Sequence, residues 1–253
     1  MKIRKHRFYF FILLFAASSL LVHFPSDFEA FAKSDGSVDS TVAINDDTTN
    51  GPSLNNNDEF GRAITSMGDL DGDGGTAMAL VVGARLDDAG SGSGQTNRGA
   101  VHIMFMNTDG SVDSTVEIDD TSGPTISNGD RFGWSVANIG DLDGDGINDI
   151  AVGARADDNG GSDRGAVHIM FMNRNGSVDS TVEINSSTTN GPSLGNSDNF
   201  GKSVTSMGDL DGDGGTVKAL AVGASTDETV HIIFMNTDGS VDSTVEINSS
   251  TTN

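Results

Sequence analysis

An Asp-Leu-Asp-Gly-Asp-Gly run begins three times in this chain, at Asp69, Asp141 and Asp209. The middle copy continues Asp141-Leu142-Asp143-Gly144-Asp145-Gly146-Ile147-Asn148-Asp149, which sets carboxylates at loop positions 1, 3, 5 and 9. That spacing lets four carboxylates and the Ile147 carbonyl converge on one hard cation, with Gly146 allowing the sharp turn. Calcium fits best, since it accepts six to eight oxygens in a flexible shell. The plainer reading is a solvated Asp-Gly turn. Carboxylates so closely spaced repel one another without a cation, and three copies at one register favour the metal. The outer copies are weaker sites. They keep Asp69, Asp71, Asp73 and Asp209, Asp211, Asp213, but then read Gly-Gly-Thr, run two residues longer and place Ala77 and Val217 at position 9. Those loops either recruit an extra carbonyl or water, or hold calcium loosely.

The loops belong to a longer repeat. Phe60-Gly61, Phe132-Gly133 and Phe200-Gly201 each precede an acidic run by eight residues. Val82-Gly83-Ala84, Val152-Gly153-Ala154 and Val222-Gly223-Ala224 follow it, then a Val-His-Ile strand at Val101, Val167 and Val230. The unit closes with Gly-Ser-Val-Asp-Ser-Thr-Val-Glu-Ile from Gly110, Gly176 and Gly239. A fourth copy of this segment, Gly36 to Ile44, stands alone with Ala43 in place of Glu. In the first unit the pattern predicts strands at Arg62–Met67, Met78–Ala84, Val101–Met106 and Ser111–Ile118. Val101, Ile103 and Phe105 alternate with His102, Met104 and Met106, and Asn107-Thr108-Asp109-Gly110 is a hairpin turn that accepts positive φ. No window keeps a helical period. The fold class is all-β, and four strands per repeat of about 70 residues indicate a β-propeller of four-stranded antiparallel blades, three full repeats in an incomplete ring.

Composition narrows the function. With 14 Lys+Arg against 37 Asp+Glu, the formal net charge is −23, which excludes nucleic acid and an anionic membrane surface as partners. No cysteine is present, so there is neither a disulfide framework nor a thiolate site. Lys2, Arg4, Lys5 and Arg7 precede the apolar run Phe8 to Val22, and Ala30-Phe31-Ala32 supplies a cleavage pattern. Residues 1–32 are expected to be an export signal peptide, giving a secreted or cell-surface protein with no membrane span in the mature chain. The propeller would occupy 33–253: a leftover outer strand and linker at 33–58, then blades at 59–129, 130–197 and 198–253.

The chain offers no catalytic constellation and reads as non-enzymatic. His102, His168 and His231 share one register in separate blades and are read as packing or surface positions. Ser91-Gly92-Ser93-Gly94 lacks the register of a nucleophile elbow. From Ala to Val, the loop before the Val-His strand spans 17, 13 and 6 residues in the three units, and varied loops on a fixed scaffold are where binding specificity lies. Its acids, Asp87-Asp88, Asp157-Asp158 and Asp227-Glu228, are expected to be solvated. Trp134, the only tryptophan, is either a stacking platform for a sugar or a packing residue between blades. Asn175, Asn185 and Asn248 head sequons.

Phe-Gly, then Asp-x-Asp-x-Asp-Gly, then Val-Gly-Ala, repeated over nearly all of 33–253, resembles the FG-GAP repeat of integrin α-subunit β-propellers and related microbial surface proteins. The resemblance implies blade hairpins stapled by calcium on an extracellular protein used in adhesion or recognition of a protein or glycan ligand. Lectin-like carbohydrate binding, or a role as accessory propeller of a longer exported hydrolase, are the alternatives, because such propellers occur in several settings. The family ring has about seven blades and a closed ring needs at least about four. Three units are therefore expected to be the N-terminal piece of a longer propeller, or otherwise to close by self-association.

Overall fold

The computed structural model describes residues 40–72, 74, 78–88, 96–210, 212 and 218–251. The chain divides into two units, 1–41 and 42–253, and only residues 40 and 41 of the first are described. The expected signal peptide and the Ser91–Gly94 loop lie outside the described residues.

The second unit is all-β, as expected. Its first sheet holds β1 (Phe60–Gly68), β2 (Ala79–Ala84), β3 (Ala100–Met106) and β4 (Val112–Ile118). The second holds β5 (Phe132–Gly140), β6 (Asp149–Ala154), β7 (Ala166–Met172) and β8 (Val178–Ile184). The third holds β9 (Phe200–Gly208), β10 (Lys218–Ala224), β11 (Thr229–Met235) and β12 (Val241–Ile247). Each sheet runs in sequence order with antiparallel neighbours, so hairpins alone build it. Among the described residues there is no helix, and so none long and apolar enough to cross a membrane. The β3–β4 turn is closed by Asn107, whose N–H donates to Ser111 O at 2.8 Å, and by Asp109, whose carboxylate accepts from Ser111 N at 2.9 Å. Gly110 sits at φ 83° there.

Sheets pack face to face as blades. β5 lies against β1, β2 and β3, and β9 against β5, β6 and β7. Three blades in a row give an open arc, not a closed ring. One apolar core lies between the first and second blades, around Met67, Val101, Ile103, Ile118 and Phe132. Another lies between the second and third, around Ile139, Val167, Ile169, Ile184 and Phe200. Because the middle strands are covered on both faces, the alternation expected for β3 does not separate inside from outside. Ala100 to Met104 are all buried, His102 included.

The glycines of the two signature motifs face each other across the blade junction. A Cβ on Gly83 would stand 2.0 Å from the Gly133 carbonyl oxygen, and one on Gly133, at φ 80°, would stand 2.4 Å from Ala100 O. Val-Gly-Ala of one blade and Phe-Gly of the next are therefore one contact, in which only glycine lets the backbones meet. Each Phe also caps its own blade's histidine edge to face, with ring centroids 5.5 Å apart for Phe60–His102 and Phe132–His168 and 5.4 Å for Phe200–His231. Burial holds His168 down to about 4 and therefore neutral. The three histidines are packing residues.

Of the solitary fourth segment, the described residues 40–44 form no strand. Ile44 nonetheless packs with Phe60, Leu80 and Met106 on Val82, Met104 and Val112 of the first blade. That is the place Ile118 takes against the second blade.

Candidate metal centre

The middle acidic loop joins β5 to β6 and is pinned from both sides. Leu142 is sunk in the core shared with the third blade, while Ile147 packs on the core shared with the first. Asn148 Nδ2 donates to Met67 O at 3.0 Å, and Asn138 Nδ2 to Ser66 O at 2.9 Å, tying the loop to the end of β1. Asp141 folds the loop around itself. Its Oδ1 accepts from Gly144 N at 2.6 Å and its Oδ2 from Gly146 N at 3.0 Å.

Asp141, Asp143 and Asp149 bring one carboxylate oxygen each within 4.8 Å of one another. Calcium binds oxygen at 2.3–2.6 Å, so oxygens across one shell are separated by up to roughly 5 Å, and the donor set fits that ion in type and spacing. Asp145 is not part of this group. Its Oδ1 accepts from Ile147 N at 2.7 Å instead, while Asp143 Oδ1 accepts from Asp145 N at 3.1 Å. Asp149 is the buried member, held by Leu142 N at 2.8 Å and Met172 N at 3.1 Å. Burial pushes its carboxyl up to about 6, against the pull of those two N–H groups and with help from the charges of Asp143 and Asp145. A cation would reverse that balance by favouring the carboxylate.

The outer loops start alike and finish differently. Asp69 accepts from Gly72 N at 2.8 Å and Gly74 N at 3.1 Å, and Asp209 from Gly212 N at 2.9 Å, repeating the wrap around Asp141. Asp73, Ala77, Asp211, Asp213 and Val217 lie outside the described residues. Strand register corrects the alignment made by counting along the loop. Gly68 pairs with Ala79, Gly140 with Asp149 and Gly208 with Ala219, so Ala79 and Ala219 occupy the place of Asp149. In the first blade the Met78 carbonyl takes over part of the structural duty of Asp149, accepting from Met106 N at 3.1 Å. At the Asp71 carbonyl of that blade, Arg174 of the second blade brings Nη1 to 3.5 Å.

Two expectations about the opposite loops change. Asp87 and Asp157 are buried, not solvated, each facing its blade histidine, His102 Nε2 at 3.8 Å and His168 Nε2 at 4.0 Å. Trp134 is a junction residue, ringed by guanidinium groups of both blades. Arg62, Arg85 and Arg155 were not singled out by motif, although Arg85 and Arg155 both follow Val-Gly-Ala and that shared position was the available signal.

Residues 132–170, which span this loop, match the family described as FG-GAP repeat. The chain is 32% identical to integrin alpha-PS2 of Drosophila melanogaster over 176 residues, 68% of this chain and 12% of the relative. It is 34% identical to integrin alpha-PS5 of the same organism over 107 residues (42% of this chain, 10% of the relative). Against integrin alpha-5 of Xenopus laevis the figures are 43% over 88 residues (33% and 8%). The chain thus carries an FG-GAP repeat and is similar to integrin α-chains, of which it spans only a small part.

Proposed function

We propose that this chain is part of a calcium-stabilised extracellular β-propeller that serves cell-surface adhesion or ligand recognition and performs no catalysis. The observation that carries the reading is the convergence of Asp141, Asp143 and Asp149 at the end of one blade hairpin. That hairpin lies inside the segment matching the FG-GAP repeat. Asp141, Asp143 and Asp149 would hold the ion and Ile147 would offer a carbonyl, with Asp145 recruited if the loop tightens. The ion's role would be structural: it neutralises a buried carboxylate and fixes the loop that ties two blades together. The outer loops, lacking a carboxylate at the place of Asp149, would bind more weakly. Exported calcium modules bind at about 10⁻⁴ to 10⁻³ M, which suits calcium-rich surroundings outside the cell. Ligand contact would fall to the loops of unequal length at the other strand ends.

The test is isothermal titration of the chain with calcium, beside cell or matrix adhesion of beads coated with it. One dominant site that Asp149→Ala removes, with adhesion lost on calcium withdrawal, is the expected result. Absence of any saturable calcium binding up to about 10 mM, roughly ten times the constant of the weakest such modules, would overturn it.

A further inference from the structure

At the end of β5 opposite the acidic loop, one indole gathers three cations. The guanidinium carbons of Arg62, Arg85 and Arg155 lie 4.6, 4.2 and 4.1 Å from the Trp134 ring centroid. Arg62 and Arg85 come from the first blade and Arg155 from the second, so the cluster spans the junction. In a chain with 14 basic residues against 37 acidic ones, this is a concentration of positive charge. The aromatic face attracts each cation, but three guanidiniums on one ring also repel one another.

The molecule answers that repulsion only in part. Arg85 is satisfied by Glu59, with Nε to Oε2 at 2.7 Å and Nη2 to Oε1 at 2.6 Å, the two-pronged geometry a guanidinium prefers for a carboxylate. Arg155 gives Nη1 to the Asn199 side chain, while its Nε is buried with no hydrogen-bond partner among the described residues. Arg62 is exposed, and its contact among the described residues is the ring itself. A buried guanidinium N–H without an acceptor is costly, and a neutral Asn supplies no counter-charge.

We infer that Arg62 and Arg155, held over Trp134, form a receptor for a carboxylate side chain of a protein partner. The Arg85–Glu59 pair shows the chemistry within the cluster itself: one arginine already grips a carboxylate there, and two remain to grip another. Trp134 holds both guanidiniums in place through its ring face. The assignment gives the recognition reading a partner chemistry, and it is independent of calcium because the acidic loop is at the other end of the strand.

Trp134 is the only tryptophan, so its emission reports this place alone. The experiment is a fluorescence titration of the whole chain with a hexaglutamate peptide at fixed ionic strength, beside hexaglutamine and a sulfated heparin hexasaccharide. A saturable change is expected with hexaglutamate only. Arg62→Gln should weaken it about tenfold, the loss of one charge-assisted contact, and Arg155→Lys should weaken it while keeping the charge. Circular dichroism of both variants checks that the sheets persist. No saturable change with hexaglutamate, the same change with hexaglutamine, or unaltered affinity in Arg62→Gln would each overturn the assignment. Binding of the saccharide without the peptide would overturn the partner class. Any of these outcomes leaves the calcium titration untouched, so the two readings fail separately.

Discussion

The second blade and the third carry nearly the same residues at the same register, yet only the second is enclosed. Ile184 of β8 is 0% exposed and its counterpart Ile247 of β12 is 47% exposed. Leu142 is 2% exposed, and Leu210, one repeat later, 44%. Met207, Val230 and Val245 follow the same pattern. The glycines agree. A Cβ on Gly153 would stand 1.9 Å from Gly201 O of the next blade, whereas one on Gly223 meets only Ser203 of its own. The side chains that make a blade are thus half of an interface, and a single four-stranded sheet leaves that half in water. Burial in this fold belongs to the junction, not to the blade.

The sharpest way to break that comparison is to cut the same side chain in both places. Ile184→Ala should cost about 2–5 kcal/mol, the usual range for emptying a buried aliphatic site. Ile247→Ala should cost well under about 1 kcal/mol, because that side chain has little burial to lose. Chemical denaturation of the two variants, read by circular dichroism, measures both. Equal losses would mean that the outer face of the third blade is covered in solution.

Much of the fold was legible in the sequence because its units repeat, and repetition exposes register even where periodicity is blurred. The Phe-Gly and Val-Gly-Ala pairs marked the strand starts and ends within a residue or two. What the repeats concealed was why those glycines stand there: Gly83 answers to Gly133 fifty residues on, a relation no local pattern contains. Asp141, Asp143 and Asp149 stand close together, as their spacing allows, while the Asp145 carboxylate turns to Ile147 N. Spacing fixes which side chains can converge, whereas local N–H groups decide which do. Counting misplaced the outer loops for a similar reason. Two extra residues move the aligned position from Ala77 and Val217 to Ala79 and Ala219, and only pairing with Gly68 and Gly208 shows it. The burial of Asp87 and Asp157 was hidden as well, since paired acids in a loop look the same whether they face water or a histidine.

Calcium separates the middle loop from the outer ones. At a free concentration about 100 times the dissociation constant, a ligand that binds only the folded chain adds about 2.7 kcal/mol. Asp143→Ala should abolish most of that increment while costing the calcium-free protein little, since Asp143 is exposed and accepts one N–H. Asp69→Ala should leave the increment nearly intact, because Ala79 stands where the middle blade has Asp149. Differential scanning calorimetry with and without calcium reads each difference. An increment in Asp143→Ala equal to that of the parent chain would sink the assignment of the middle loop.

The smallest expected effect concerns acidity in the second blade. Burial, with the charge of Asp130 adding to it, pushes Asp157 up to about 7, while burial holds His168 down to about 4. A raised carboxyl stabilises the fold fully below its unfolded value near 3.8 and loses that contribution as pH climbs to about 7. The depressed histidine works the other way, gaining stability between about 4 and its ordinary 6.5. The two slopes oppose each other, so the parent chain should show a muted response across this range. Asp157→Asn keeps an acceptor for Asn159 N, now at 2.7 Å from Asp157 Oδ1, and removes the titration. The variant should match the parent near pH 4, then gain on it as pH rises, by on the order of 2 kcal/mol above pH 7. Melting temperatures at half-unit pH steps test this. A gap that is constant with pH would show that Asp157 is ionised in the fold throughout, and that its place beside His168 is held by charge and not by burial.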